Sequence, residues 1–132
     1  MVNVNKEPLV SVITATLNAS KYLREALNSI LNQTYQNIEV LIIDGGSTDD
    51  TKEIANMFPK VSFVTQNGKG LFDAWNQGIK MCTGDFVAIL DSDDIWNPTT
   101  LSDHVNALLS DSSKLGSVGQ VKFFLQKNLD SK

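Results

Sequence analysis

Hydrophobic and polar positions along this chain alternate between two periods. Leu9–Thr16 (LVSVITAT) is short, rich in β-branched residues and bounded by Pro8 and Asn18, the pattern of a strand buried on both faces. Tyr22, Leu23, Ala26, Leu27, Ile30 and Leu31 then recur at helical spacing, with Asn18 or Ser20 placed to cap the start. Ile38–Ile43 predicts a second strand, running into the turn Asp44-Gly45-Gly46-Ser47. Ser47 with Asp50 has the spacing of a capping box, which predicts a helix to about Phe58, stopped by Pro59. Val61–Thr65 predicts a third strand and Asn67–Gly70 a glycine-bearing loop. Leu71–Met81 predicts a helix with Ala74, Trp75, Gly78 and Ile79 facing inward, and Gly84 marks the break beyond it. Asp85–Leu90 predicts a fourth strand, ending in Asp91-Ser92-Asp93-Asp94. A fourth helix starts at Asn97-Pro98-Thr99-Thr100 and runs to about Leu109, and Val118–Leu125 predicts one more strand.

Strand and helix alternate with short connections, which calls for an α/β fold: a doubly wound, mostly parallel sheet with helices on both faces. The 132 residues suffice for one domain, and no repeat or linker divides them. With 42% apolar and 20% charged residues the composition is that of a soluble globular protein. A net charge of −4 with scattered Lys and Arg excludes an electrostatic footprint for nucleic acid. It also means that a phosphorylated ligand would need backbone amides or a divalent cation. The single cysteine, Cys82, suits a reducing compartment, and no apolar run approaches the ~20 residues of a membrane span. The polar start Met1–Glu7 lacks the apolar core of a signal peptide, so a cytoplasmic location is expected.

In an open parallel sheet, ligands bind outside the carboxyl ends of the strands. Here those ends carry Thr14–Asn18, Asp44–Ser47, Asn67–Gly70 and Asp91–Asp94, without His or Cys. The turn after strand one has no glycine, which excludes a dinucleotide fingerprint, and Asn67–Gly70 lacks P-loop spacing. Cys82 and His104 are too few for structural zinc, and His104 lies in a predicted helix, away from any Ser-His-Asp arrangement. A signalling receiver would need an acidic pair after strand one and an acceptor Asp after strand three, and neither is present. Asp91, Asp93 and Asp94 repel one another unless a hard cation such as Mg²⁺ or Mn²⁺ joins them, the reading favoured over a solvated capping turn. Asp44 reads equally as an acceptor for a base or ribose and as an ordinary turn residue.

Taken in order, Val10–Asn18, Ile43-Asp44-Gly45-Gly46-Ser47-Thr48-Asp49, Gly70 with Ala74-Trp75-Asn76-Gln77-Gly78-Ile79, and Gly84-Asp85 with Leu90-Asp91-Ser92-Asp93-Asp94 resemble family 2 glycosyltransferases. The resemblance spans about Leu9 to about Leu109. It implies the GT-A fold and an inverting transfer of sugar from a nucleoside-diphosphate donor, usually a UDP-sugar, to a saccharide or lipid-linked acceptor in bacterial polysaccharide or glycoconjugate synthesis. Such an enzyme works in the cytoplasm or peripherally at the inner face of the membrane. On that resemblance Thr14, Ala15 and Asn18 line or hold the base pocket, Asp44 pairs with the base, and Gly70 and Asp73 shape the wall beneath the nucleotide. Asp91 and Asp93 form the Asp-x-Asp pair that faces the ribose and the diphosphate-bound Mg²⁺ or Mn²⁺, Asp94 is a second contact to the metal or the donor sugar, and Ser92 joins Asp91 among the nucleotide-binding residues.

Two departures from the family matter. Trp75 stands where the family more often has Arg or Met, and reads equally as core. The family's general base, an Asp or Glu well beyond the Asp-x-Asp turn, has no counterpart, since only Asp103, Asp111 and Asp130 follow. The expectation is therefore a donor-binding half of a longer enzyme, the rival being a nucleotide-sugar-binding module without transfer activity. An uncovered sheet edge and the cluster Phe123, Phe124 and Leu125 lead to the expectation of a homo-oligomer.

Overall fold

The computed structural model describes residues 6–119. Its elements are β1 (Val10–Thr16), α1 (Leu23–Leu31), β2 (Ile38–Asp44), α2 (Thr51–Asn56), β3 (Val61–Thr65), α3 (Gly70–Met81), β4 (Phe86–Ile89) and α4 (Thr100–Leu109). The strands form one sheet in the order β3-β2-β1-β4, and every pairing is parallel. The chain steps outward from β1 through β2 to β3, then crosses back over both to lay β4 on the far side of β1. Strand order therefore reverses between β1 and β4, where an open sheet leaves a crevice at its carboxyl edge.

Each face of the sheet has its own helices. Val10, Val12, Val40 and Ile42 point to the face covered by α1, α2 and α4, whose Leu23, Ala26, Leu27, Ile30, Ile54, Ala55, Leu101 and Val105 complete the larger core. The i, i+3, i+4, i+7 spacing of Leu23, Ala26, Leu27 and Ile30 puts all four on one stripe, and all are fully buried. Ile13 and Ile43, one residue out of phase with the first set, meet Ala74 of α3 on the opposite face. Both faces of β1 and β2 are thus covered, as their unbroken apolar runs require.

Several local expectations give way to tertiary contacts. Ser47 does not cap α2, because its hydroxyl donates to Asp44, and the helix starts only at Thr51. Asn18 and Ser20 do not cap α1 either: Asn18 stands at φ 51° with its side chain turned to Thr48, and the Ser20 amide donates to Asp49. Residues 97–99 form a turn before α4, which starts at Thr100. Ile79 is 47% exposed, because α3 touches the sheet along a narrow stripe of Ala74 and Gly78. Trp75 is partly buried against the Ile13–Ile43–Ala74 cluster and meets Phe72 edge to face at 5.6 Å, so its core reading holds. The predicted strand Val118–Leu125, the cluster Phe123–Leu125 and Asp130 lie almost wholly outside the described residues, and the oligomer expectation drawn from that cluster lies there too. Among the described residues β4 pairs only with β1, and its Val87 and Ile89 remain 43% and 40% exposed.

Gly78 sets how closely α3 approaches the sheet. A Cβ there would stand 2.7 Å from Ile13 Cγ2, below any real contact distance. Gly78→Ala should therefore destabilise the domain by about 1–2 kcal/mol net, overpacking at Ile13 outweighing the helix-propensity gain of the alanine. Urea unfolding of the two proteins measures the difference, and an unchanged or raised midpoint would show that α3 is free to shift outward.

Candidate functional site

The crevice between the carboxyl ends of β1 and β4 is a cleft of about 350 Å³. The β1–α1 connection supplies Ala15, Leu17, Asn18, Ala19 and Tyr22, the first turn of α3 supplies Leu71, and the turn after β4 supplies Asp91, Ser92 and Asp93. One wall is apolar and aromatic with an amide at its edge. The other is acidic.

The apolar wall is held by a network rooted in Asp44. The parallel register sets Thr16 beside Asp44, and the Thr16 hydroxyl donates to Asp44 Oδ1 at 2.7 Å. Ser47 Oγ donates to the same oxygen, while the amides of Gly46 and Ser47 donate to Oδ2 at 3.0 and 2.8 Å. Burial pushes the Asp44 carboxyl up, but the hydrogen bonds from Ser47 and Thr16, with the Gly46 amide, outweigh it and hold it below the usual range. From there the network spreads. Asn18 donates its amide to Ser47 Oγ and accepts from the Thr48 amide, the Ala19 amide donates to Thr51 Oγ1, and the Ser20 amide donates to Asp49 Oδ2. The hydroxyl of Thr51 is the main cause that holds Asp49 well below the ordinary range.

The acidic wall is positioned from behind by Gln33, which sequence reasoning missed. Its side chain, 1% exposed, donates to the carbonyls of Ser29 and Asn97 and accepts from the Leu101 amide. With the Thr34 amide donating to Pro98 O and the Trp96 amide to Ser29 Oγ, it ties the end of α1 to the β4–α4 connection. The one available signal was a polar residue two places beyond an apolar helical stripe, which also describes many surface residues.

The structure sorts the expected site residues. Ala15, Asn18, Asp91, Ser92 and Asp93 come together in the cleft. Thr14 does not: it is fully buried and its hydroxyl has no partner. The base-pairing role expected of Asp44 meets a geometric obstacle, because four donors occupy its two oxygens and a carboxylate has about four acceptor sites. Gly70 and Asp73 open α3 beside the cleft, Gly70 at φ 79° and Asp73 accepting from the Lys69 amide at 3.0 Å, without lining the cleft. Asp94 is also outside the lining; burial first, then the charges of Asp93 and Asp91, push its carboxyl up. Among the described residues no group of three or more His, Cys, Asp or Glu is gathered closely enough to hold a metal ion, so the three aspartates are not a complete coordination site by themselves. Two exposed carboxylates of hard oxygen chemistry on the cleft wall nevertheless fit a divalent cation that takes its remaining ligands from water and phosphate.

The glycosyl transferase family 2 model matches residues 11–130. The chain belongs to that family. It is 40% identical over 99 residues to chondroitin synthase of Escherichia coli, covering 72% of this chain and 14% of that protein. To the glycosyltransferase GlyG of Streptococcus pneumoniae it is 44% identical over 92 residues, covering 66% of this chain and 31% of that one. Among solved structures it is similar to S. aureus TarS in complex with UDP, with a TM-score of 0.68 and 33% identity over 76% of this chain and 32% of that one. The mannosyltransferase PcManGT from Pyrobaculum calidifontis, in complex with GDP-Man and Mn²⁺, gives 0.70 and 31% over 78% of this chain and 33% of that one. The family 2 chain thus spans a third or less of these proteins, and its four-stranded parallel sheet is the corresponding part of the GT-A fold. No helix among its described residues is long and apolar enough to cross a membrane.

Removing the Asp44 carboxylate strands the Thr16 and Ser47 hydroxyls and two amides. Asp44→Ala should cost about 2–4 kcal/mol of stability at pH 7. Because its folded pKa is depressed, that contribution is complete above the unfolded value near ~3.9 and is lost as pH falls through the lower folded value. Urea midpoints at pH 7 and pH 3 should therefore differ less for the variant than for the parent, and an equal pH dependence would remove Asp44 from this role.

Proposed function

We propose that this family 2 chain is the donor-binding part of an inverting, divalent-cation-dependent glycosyltransferase that uses a nucleoside-diphosphate sugar, a UDP-sugar in the first instance, for bacterial polysaccharide or glycoconjugate synthesis. The observation that carries this is the cleft at the strand-order reversal, where Asp91, Ser92 and Asp93 face the wall of Leu17, Asn18 and Tyr22. Similar structures are described in complex with UDP, with UDP-GlcNAc and with GDP-Man and Mn²⁺, which supports a nucleotide-sugar donor and a cation here. Leu17, 63% exposed, and the Tyr22 ring offer apolar surface to the flat faces of a base. Asn18 offers polar contacts at the edge of the same wall. Asp91 and Asp93, with Asp94 adjoining, would hold the cation.

Such a cation supplies neutralisation of the charge that develops on the diphosphate as the glycosidic bond breaks. The chain's own contribution is to fix the donor's orientation. The Asp44 network immobilises one wall and the Gln33 clamp the other, so little entropy remains to be lost when the donor is bound. The free thiol of Cys82 is consistent with work in a reducing compartment.

A second reading is favoured by the carboxylates that follow the acidic turn. Asp103 accepts from Thr99 Oγ1 on α4 and Asp111 from Ser113, and neither lines the cleft. Among the described residues the cleft thus presents no carboxylate free of the cation site to act as general base. On this reading the 132 residues bind donor without transferring sugar.

Calorimetric titration tests donor binding. UDP should bind more tightly with Mn²⁺ or Mg²⁺ than with a chelator, and Asp93→Asn should abolish most of that difference; superimposable titrations with and without metal would overturn the site. Transfer is tested separately. With no positioned base among the described residues, ~10²–10⁴-fold in rate is forfeited, and on the binding-module reading the protein should show no more than slow donor hydrolysis. Robust transfer to a saccharide acceptor would overturn the binding-module reading.

A further inference from the structure

The acidic turn Asp91–Asp94 is suspended between two anchors. Upstream, the Leu90 amide donates to Ile13 O at 3.2 Å. Downstream, the Trp96 amide donates to Ser29 Oγ at 3.2 Å and its side chain packs against the larger core. Asp91 and Asp93 line the cleft from within that short span. Their like charges favour a turn that opens, so a cation meets both carboxylates at once only if the backbone holds them there beforehand.

The downstream anchor depends on one side chain. Gln33 Nε2 donates to Ser29 O at 3.0 Å and to Asn97 O at 2.6 Å, and its Oε1 accepts from the Leu101 amide at 3.0 Å. Carbonyls only accept and an amide only donates, so the orientation of this carboxamide is determined. The Leu101 amide belongs to the first turn of α4, where no helical carbonyl is available and Thr99 makes no side-chain cap. Its acceptor comes instead from the segment just after α1. One group, 1% exposed, thus joins the end of α1, the Asn97 carbonyl and the start of α4. No other residue type of this length carries two donors and an acceptor. Met keeps the length and offers neither, and Glu would set a carboxylate against two carbonyl oxygens.

We propose that Gln33 is the positioning residue of the cation site. Through Asn97 O and the Leu101 amide it holds the Asp91–Asp94 turn so that Asp91 and Asp93 can share a divalent cation with a diphosphate. It touches neither the ion nor the donor. The proposal rests on the donor-binding reading above and adds to it the group that prepares the acidic turn for the ion.

Titrations of UDP with Mn²⁺ and with a chelator, run on the parent, Gln33→Met, Asp93→Asn and the double variant, test it. The quantity read is the ratio of the two affinities. Loss of folded protein lowers the number of sites equally in both titrations, so a merely structural role leaves the ratio alone. In Gln33→Met the ratio should fall roughly 3–10-fold, the worth of a lost neutral hydrogen bond. In the Asp93→Asn background Gln33→Met should lower it no further, because both changes act on one site. Gly78→Ala, which strains the opposite face of the sheet, should keep the parent's ratio. Ser29→Ala removes the tie to the Trp96 amide and should lower the ratio by a smaller step, which carries the test if Gln33→Met does not fold. The parent's ratio retained in Gln33→Met, or in Ser29→Ala where Gln33→Met does not fold, would overturn this proposal and leave the donor-binding reading standing. A further fall in the double variant, or an equal fall in Gly78→Ala, would do the same. A parent that binds UDP equally with Mn²⁺ and with chelator would overturn the cation site itself, and this proposal with it.

Discussion

Burying a carboxylate costs several kcal/mol unless donors replace the lost water, and Asp44, 4% exposed, sits at the end of a central strand. Its four donors come from two separate connections: Thr16 at the end of β1, and Gly46 and Ser47 after β2. Meeting the demand of that one group therefore fixes both connections relative to each other. Everything on the apolar side of the cleft follows from it, because Asn18 and Ser20 can reach Thr48 and Asp49 only once the two connections are in register. The positive φ of Asn18 is one cost of that arrangement, and Asn tolerates it better than most residues.

The two walls solve opposite electrostatic problems. Around Asp44 the charge is neutralised internally by aligned dipoles, so that wall offers a ligand mainly shape. Around Asp91, Asp93 and Asp94 the like charges are left facing one another, and burial first, then the charges of Asp93 and Asp91, push the Asp94 carboxyl up. Gln33 holds this second wall through backbone carbonyls and an amide rather than through the acidic side chains, leaving those free for a ligand. Rigid support from behind and unsatisfied charge in front is an arrangement suited to a cation shared with a phosphorylated group.

The helix starts show most clearly where sequence reasoning falls short. Ser47 followed by Asp50 has the spacing of a cap, and Asn18 and Ser20 stand before an amphipathic stripe, yet all three use their polar groups across loops that are 29 or 30 residues apart in the chain. A local pattern records which bonds a side chain is able to make. It does not record which of several partners is closest once the sheet has formed.

What the sequence determined by itself was the alternation of elements, the doubly wound parallel class and the family. These rest on periodicity, on turn residues and on motifs read in order, all of which are local or additive along the chain. Only the tertiary structure decided that Asp44 is a girder of the fold, that Thr14 is sealed inside, that Gln33 clamps the acidic turn, and that Asp91 and Asp93 but not Asp94 face the cleft. The physical reason is the same in each case. A polar group's role depends on whether its hydrogen-bonding capacity is already used, and in a parallel sheet the groups that use it come from strands joined by long crossovers.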